Sequence, residues 1–295
     1  INFYWKHVMN VNFIAEVSSN HSRNINRSLE FIDYAASIGC DAVKFQLFKI
    51  EKLFASEILE NSKQHRDRKQ WELPSEFLPV LSNRCKEKGI QFSCTPFYLD
   101  AVNELEPYVD FYKIASYELL WDDLLVACAR TGKPVIISTG MANLYEIRHA
   151  VKILRNNNCE PIVLHCTSAY PTPYSEANLS AIETIRKSIG CETGWSDHTV
   201  DPGVIHRAIH KWGAKVIEFH LDLEGKGEEF STGHCWLPEQ IGLVIEQVRH
   251  AEGADGDGIK EPVPSEISDR LWRTDPSDGL RPFKSIRNSF NLDAK

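Results

Sequence analysis

Eight times along this chain a short apolar run is followed by a polar or glycine-containing break and then by a segment with helical spacing. The runs are residues 12–17 (NFIAEV), 42–46 (AVKFQ), 91–94 (QFSC), 111–114 (FYKI), 134–138 (PVIIS), 161–166 (PIVLHC), 192–196 (ETGWS) and 216–219 (VIEF). Being short and rich in Val, Ile and Phe, they read as strands buried on both faces. Between and after them the apolar spacing predicts helices over 28–38, 76–88, 98–106, 119–131, 143–155 and 176–189, another opening at Asp201-Pro202, and a last one over 238–251. Gly89 and Gly132 stand where helices should stop, Asn143 where one should be capped, and Pro202 at a first helical position. Strict alternation of this kind means an α/β protein, and eight repeats predict a (β/α)8 TIM barrel. A doubly wound open sheet is the alternative. It would need fewer strands or a second domain, and no composition shift or Gly-rich turn after the first strand supports it.

The barrel is expected to occupy residues 1–252, and residues 253–295 to form a C-terminal extension, with one helix over 264–273 and then a tail. The acidic turn at 252–258 resembles part of a calcium loop but lacks the glutamate that would close it. The polar stretch of about twenty-five residues after the second strand is too long for an idle connector and is expected to be a lid or binding loop.

Charge and composition narrow the partners. A net charge of −8 argues against a general nucleic-acid binder, so an anionic substrate would need local cations. No apolar run approaches the eighteen or so residues of a membrane span, and the first ten residues lack the apolar centre of an export leader. None of the 8 cysteines forms a C-x-x-C pair, and several sit inside strand-like runs, as free thiols in a reducing cytoplasm would.

In a barrel the chemistry gathers at the C-terminal strand ends. His198 and His220 stand just beyond successive apolar runs, so neighbouring strands would bring both imidazoles to one metal ion. Lys44 and Lys113 lie within strands and would point into the mouth. With Thr95, Ser116, Ser138 and the small Ser138-Thr139-Gly140 turn they would make a phosphate or carboxylate cradle, unless each lysine pairs with a glutamate. Glu16 ends the first strand as a catalytic carboxylate or one half of a buried salt bridge. Gln46, Glu118, His165, Tyr170, Ser196, Asp197 and Glu218 complete the strand-end set.

Taken in order, these pieces resemble the N-acetylneuraminate (sialic acid) synthase family. The matching segments are Ile14-Ala15-Glu16 with Asn20-His21, Lys44-Phe45-Gln46, Cys94-Thr95-Pro96-Phe97, Lys113-Ile114 with Ser116 and Glu118, Ser138-Thr139-Gly140-Met141, His165-Cys166 with Tyr170-Pro171-Thr172-Pro173, Ser196-Asp197-His198-Thr199, and Glu218-Phe219-His220. Each is weak alone; eight in register are specific. The resemblance implies a transferase that condenses phosphoenolpyruvate with an N-acylated amino-sugar aldehyde, N-acetylmannosamine or a related aldose, and releases phosphate. It implies that His198 and His220 bind a divalent ion, manganese first with magnesium and cobalt as alternatives. Lys44, Lys113, Thr95, Ser116 and Ser138 would hold phosphoenolpyruvate, Glu16 would contact the sugar and serve in proton transfer, and Tyr170 and Asp197 would shape the sugar and metal sites.

The chain also departs from the pattern. Better-known members continue into an antifreeze-like domain, which supports their swapped homodimer, and this sequence ends before one. Where the family often carries Gly-Pro-Asp-His with an active-site aspartate, residues 228–236 read EEFSTGHCW, with His234 as a substitute polar group. Ser168 stands where some members have asparagine. Two other classes therefore stay open: a barrel that binds a sugar or partner protein in glycan assembly without turnover, and a different metal-dependent lyase or aldolase acting on a keto acid.

Overall fold

A computed structural model describes residues 11–290 of the chain. The first ten residues, read above as lacking an export leader, and residues 291–295 lie outside the described residues. The strands are β1 (Asn12–Glu16), β2 (Ala42–Leu47), β3 (Gln91–Pro96), β4 (Phe111–Ile114), β5 (Val135–Ser138), β6 (Ile162–His165), β7 (Thr193–Asp197) and β8 (Val216–Leu221). Each pairs in parallel with the next, and β1 closes on β8. The principal helices that follow them are α1 (Ile25–Ser37), α2 (Leu78–Lys88), α3 (Leu99–Leu105), α4 (Asp122–Arg130), α5 (Leu144–Asn156), α6 (Ser180–Ile189), α7 (Pro202–His210) and α8 (Pro238–Ala254). This is the (β/α)8 barrel that the alternation predicts.

Successive residues of a strand face opposite ways, and here that period of two separates two cores. Outward residues such as Phe13, Phe45, Ile137, Ile217 and Phe219 join the large core between strands and helices. Inward residues Ile14, Ala42, Phe111, Ile136, Ile162, Leu164 and Val216 form a separate apolar plug inside the barrel. Burying each of the larger of these side chains contributes about 1.5–3 kcal/mol, so the plug adds to the stability of the closed barrel. Gly194 belongs to this layer. A Cβ there would fall 2.2 Å from the Val216 carbonyl oxygen and 2.6 Å from Leu164 Cδ2, so only glycine lets β7 and β8 approach. Two residues further along β1, β2, β4, β5 and β8 the inward positions become Glu16, Lys44, Lys113, Ser138 and Glu218, all buried.

Local chemistry sets the helix ends. The Asn24 side chain accepts hydrogen bonds from the backbone N–H groups of Asn26 and Arg27, which starts α1 three residues before the expected position. Asn143 forms a capping box with Glu146, and Asp201 caps α7 with Pro202 in its first turn. Gly89 closes α2 at φ +76°, a conformation that costs a residue with a Cβ.

Several expectations are corrected. The predicted helices over 119–131 and 176–189 begin later, at Asp122 and Ser180, a few residues beyond the 3-10 turns Ser116–Glu118 and Tyr174–Glu176. The polar stretch after β2, expected to be a lid or binding loop, folds as short helices Ile50–Leu53, Ser56–Asn61 and Lys63–Asp67 followed by the 3-10 turn Arg68–Trp71. After β8 a helical turn, Glu228–Ser231, leads into a two-residue strand β9 (Cys235–Trp236) paired with His220 and Leu221. The chain divides into two compact units after Glu252. In the second unit the helix expected over 264–273 shrinks to Pro264–Glu266 and Ile267–Arg270, while the supposed tail carries helix Lys284–Phe290. Arg287 pairs with Asp278 at 2.7 Å there, a contact between polar residues that apolar spacing does not signal. No helix among the described residues is long and apolar enough to cross a membrane.

Candidate active site

Where the inward positions turn polar, the barrel opens into a cavity of about 680 Å³. Lys44, Gln46, Lys113, Ser116, Ser138, Tyr170, Ser196, His198 and His220 line it, as the sequence predicts. Glu118, Glu218, Glu229 and His234 join them from the strand ends and the segment after β8, and Phe54, His65, Arg68 and Trp71 from the short helices after β2.

Strand register explains one charge pair, and the other spans the barrel interior from β4 to β8. Glu16 stands opposite Lys44 on one side and His220 on the other. The Lys44 ammonium is ion-paired to Glu16 Oε2 and donates to Thr95 Oγ1 at 3.2 Å. Glu16 Oε1 accepts from Gln46 Nε2 at 2.8 Å and from the Ser18 N–H at 2.9 Å. Lys113 Nζ donates to Ser138 Oγ at 2.6 Å and lies 3.5 Å from Glu218 Oε1, which also accepts from Ser196 Oγ at 3.1 Å. The two ammonium groups therefore face the mouth, but each arrives with a carboxylate. This corrects the picture of a cradle of free cations. Burial works against charge on Lys44, yet Glu16 and Glu218 outweigh it and raise its pKa. On Lys113 burial wins and the pKa falls, with Glu218 opposing. Lys113 thus holds its proton less firmly, and a bound anion would stabilise its charge.

Four other residues are placed differently from expectation. Asp197 points outward, as the alternation along β7 requires once Ser196 and His198 face in. Fully buried, its carboxylate accepts from Trp195 Nε1 (3.0 Å), Trp236 Nε1 (2.9 Å) and Thr199 Oγ1 (2.7 Å). It does not touch the cavity; it fixes the turn that aims His198. Thr95 sits behind Lys44, wholly buried. Gly140 gives its N–H to Ser116 Oγ at 3.0 Å, and a Cβ there would fall 2.0 Å from Ser168 Oγ, so its role is close packing behind the cavity. His165 likewise faces the helices, bonded to the Ala177 carbonyl at 3.0 Å.

The imidazoles do meet. The His198 and His220 ring centres are 5.4 Å apart, and His234 makes a third corner, 4.7 Å from His220 and 6.4 Å from His198. His198 Nδ1 bonds the Thr167 carbonyl at 2.9 Å, which leaves Nε2 free. Burial, helped by His220, pulls its pKa down to about 3, so the ring is neutral with a lone pair available. His220 Nδ1 bonds Glu229 Oε2 at 3.1 Å; burial opposes a charge there, but the carboxylate outweighs it and raises the pKa. His234 Nε2 lies 3.7 Å from the same oxygen. Ligand atoms of His220, Glu229, His234 and Cys235 all lie within 4.8 Å of one another. His198, neutral with Nδ1 anchored, and His220, with a carboxylate behind its Nδ1, present ring nitrogens of the kind that bind a divalent ion. Tyr170 covers the group, its ring centre 4.3 Å from that of His198.

Glu229 is the residue that sequence reading missed most plainly. It accepts from Ser18 Oγ and Ser19 Oγ, both at 2.6 Å, and so ties the segment after β8 to the loop after β1. Nothing in its local sequence marks it; only the fold of residues 222–231, nucleated by Asp222 accepting from the Gly225 N–H at 2.8 Å, delivers it. Glu218 was legible, being two residues before His220 on the same face.

Glu118 carries a testable pH effect. Burial pushes its pKa from 4.5 up to about 7, and its Oε2 is buried without a partner. A carboxyl raised on folding binds more protons in the folded state. Its contribution is present below pH 4.5 and is lost as pH rises through about 7. Glu118→Gln is expected to match the wild type in urea unfolding at pH 4 and to exceed it by about 2 kcal/mol at pH 8. Equal stability at pH 8 would contradict the assignment.

Comparison with known proteins agrees with this geometry. The family profile described as the NeuB family matches residues 31–260. An uncharacterised protein of Methanocaldococcus jannaschii is 38% identical over 86% of this chain and 74% of its own length. The N,N'-diacetyllegionaminic acid synthase of Campylobacter jejuni is 32% identical over 86% of this chain and 80% of the relative. The crystal structure of N-acetylneuraminic acid (sialic acid) synthetase from Leptospira borgpetersenii, in complex with citrate, matches with a TM-score of 0.78 at 30% identity, covering 97% of this chain and 93% of that one. With most of its barrel inside the matched region and its strand-end polar groups gathered in one mouth, the chain belongs to the NeuB family.

Proposed function

We propose that this protein condenses phosphoenolpyruvate with an N-acylated amino-sugar aldehyde, N-acetylmannosamine or a related aldose, to give a nonulosonic acid and inorganic phosphate. Support comes from its family, from relatives named as synthases of legionaminic and sialic acids, and above all from one observation. Two imidazoles 5.4 Å apart, one buried and one half-buried, share a cavity with the ammonium groups of Lys44 and Lys113.

The imidazoles fit a divalent ion. A metal–nitrogen bond is about 2.1 Å, so rings sharing one ion stand about 4.5–6.5 Å apart, which includes the separations among His198, His220 and His234. We assign His198 and His220 as ligands, with His234 at a third corner and Glu229 orienting His220 from behind. Such an ion, manganese in our reading with magnesium and cobalt as alternatives, would act as a Lewis acid on the sugar aldehyde.

The protein's own groups do the rest. Lys113, Ser138 and Ser116 hold the phosphate and carboxylate of phosphoenolpyruvate at depth. Gln46 lines the cavity and is assigned to the sugar; Glu16, buried behind it and beside His220, is assigned to proton transfer. Tyr170 screens the reacting atoms from water. A carbon–carbon bond forms between C3 of phosphoenolpyruvate and the aldehyde carbon, whose oxygen takes a proton. Water adds at C2, and phosphate leaves.

The test is incubation with phosphoenolpyruvate, manganese and a panel of N-acyl hexosamines while phosphate is followed. Release that requires both metal and sugar is expected. Sugar binding with no release from any panel member would favour a barrel without turnover.

A further inference from the structure

Of the lysine and arginine cations that line the cavity, Arg68 alone has no ion pair among the described residues. Lys44 is matched by Glu16 and Lys113 by Glu218. Arg68, on the short turn after β2, lines the same cavity and has no carboxylate partner among the described residues. Its Nε is buried without an acceptor. Its guanidinium carbon lies 5.6 Å from the Phe54 ring centre and 5.5 Å from that of Trp71, so the fork is held by aromatic faces and its N–H edges stay free.

A buried N–H without an acceptor is costly, and a cation held in place by stacking alone leaves its strongest interaction unmade. Two lysines already neutralised by glutamates do not offset the several negative charges of a phosphorylated acid. The planar guanidinium matches phosphate and carboxylate with two parallel hydrogen bonds, which an ammonium group cannot reproduce.

We propose that Arg68 is the anion anchor of this cavity, its guanidinium binding an oxyanion of a substrate. This rests on the synthase reading above for which substrates are meant, though not for the binding itself. The oxyanion belongs either to phosphoenolpyruvate or to an acceptor sugar that itself carries a phosphate. Arg68 thereby selects for charged substrates from the segment that covers the mouth.

The experiment is calorimetric titration of the full chain with phosphoenolpyruvate, with manganese present, in wild type, Arg68→Ala and Arg68→Lys, beside KM measurements for a neutral and a phosphorylated N-acyl hexosamine. Arg68→Ala is expected to weaken binding of phosphoenolpyruvate at least tenfold with an unchanged melting temperature, and Arg68→Lys to restore only part of it. If phosphoenolpyruvate binding is unchanged but KM for the phosphorylated sugar alone rises tenfold, the anchor serves the acceptor and the proposal holds. Unchanged binding of both overturns it. A wild type that binds phosphoenolpyruvate yet never releases phosphate would sink the synthase reading while leaving this proposal to stand on the titration.

Discussion

His220→Ala is expected to lower metal-dependent phosphate release by roughly a thousandfold or more while the barrel stays folded. The ring reaches the mouth, outside both apolar cores, so little packing is lost. Its partner Glu229 keeps the hydroxyls of Ser18 and Ser19, both at 2.6 Å, so no bare carboxylate is left buried. Loss of function should therefore come from the ion, not from unfolding. Manganese binding, read as the loss of free-ion signal in electron paramagnetic resonance, is expected to weaken in parallel. Wild-type manganese affinity in this variant would end the assignment of His220 as a ligand.

Asp197→Ala should instead act on stability, by about 4 kcal/mol. The carboxylate accepts from two indole N–H groups, Trp195 at 3.0 Å and Trp236 at 2.9 Å, and both rings are buried to within 1% of full coverage. It also holds Thr199 through its hydroxyl at 2.7 Å and its N–H at 3.2 Å. Alanine strands two buried donors at once and frees the turn that carries His198. Asp197→Asn, which keeps one acceptor oxygen, is expected to lose about half as much. Urea unfolding of the three proteins checks this, and a loss below about 1 kcal/mol for alanine would refute the hub role.

The architecture was legible because strand period and helix period are both local. Eight apolar runs sit where eight strands form, and even the caps at Asn143 and Asp201 were readable. The inward half of the site followed from the same period: Lys44, Lys113, Ser138, Ser196, His198 and His220 all reach the cavity. Asp197 was misassigned because a polar residue at a strand end looks functional whichever way it faces; its odd register relative to Ser196 and His198 held the answer. Glu229 and Arg68 were not legible. They arrive on segments whose path depends on long-range bonds: Asn20 Nδ2 to the Leu221 carbonyl at 2.9 Å for Glu229, and Arg23 Nη1 to the Lys69 carbonyl at 3.2 Å for Arg68. The pairing of Glu16 with Lys44 needed the register of β1 on β2, and that of Glu218 with Lys113 needed closure of the barrel, neither of which a single strand encodes.

Sealed at its base by Ile14, Phe111, Ile136 and Val216, the barrel is, among the described residues, a vessel that opens at the C-terminal strand ends. Whatever seats itself deepest has to arrive before anything that rests above it, and it cannot depart until the upper occupant has gone. Compounds should therefore queue: the molecule held by Lys113 loads first, and a late-binding sugar mimic would trap it there.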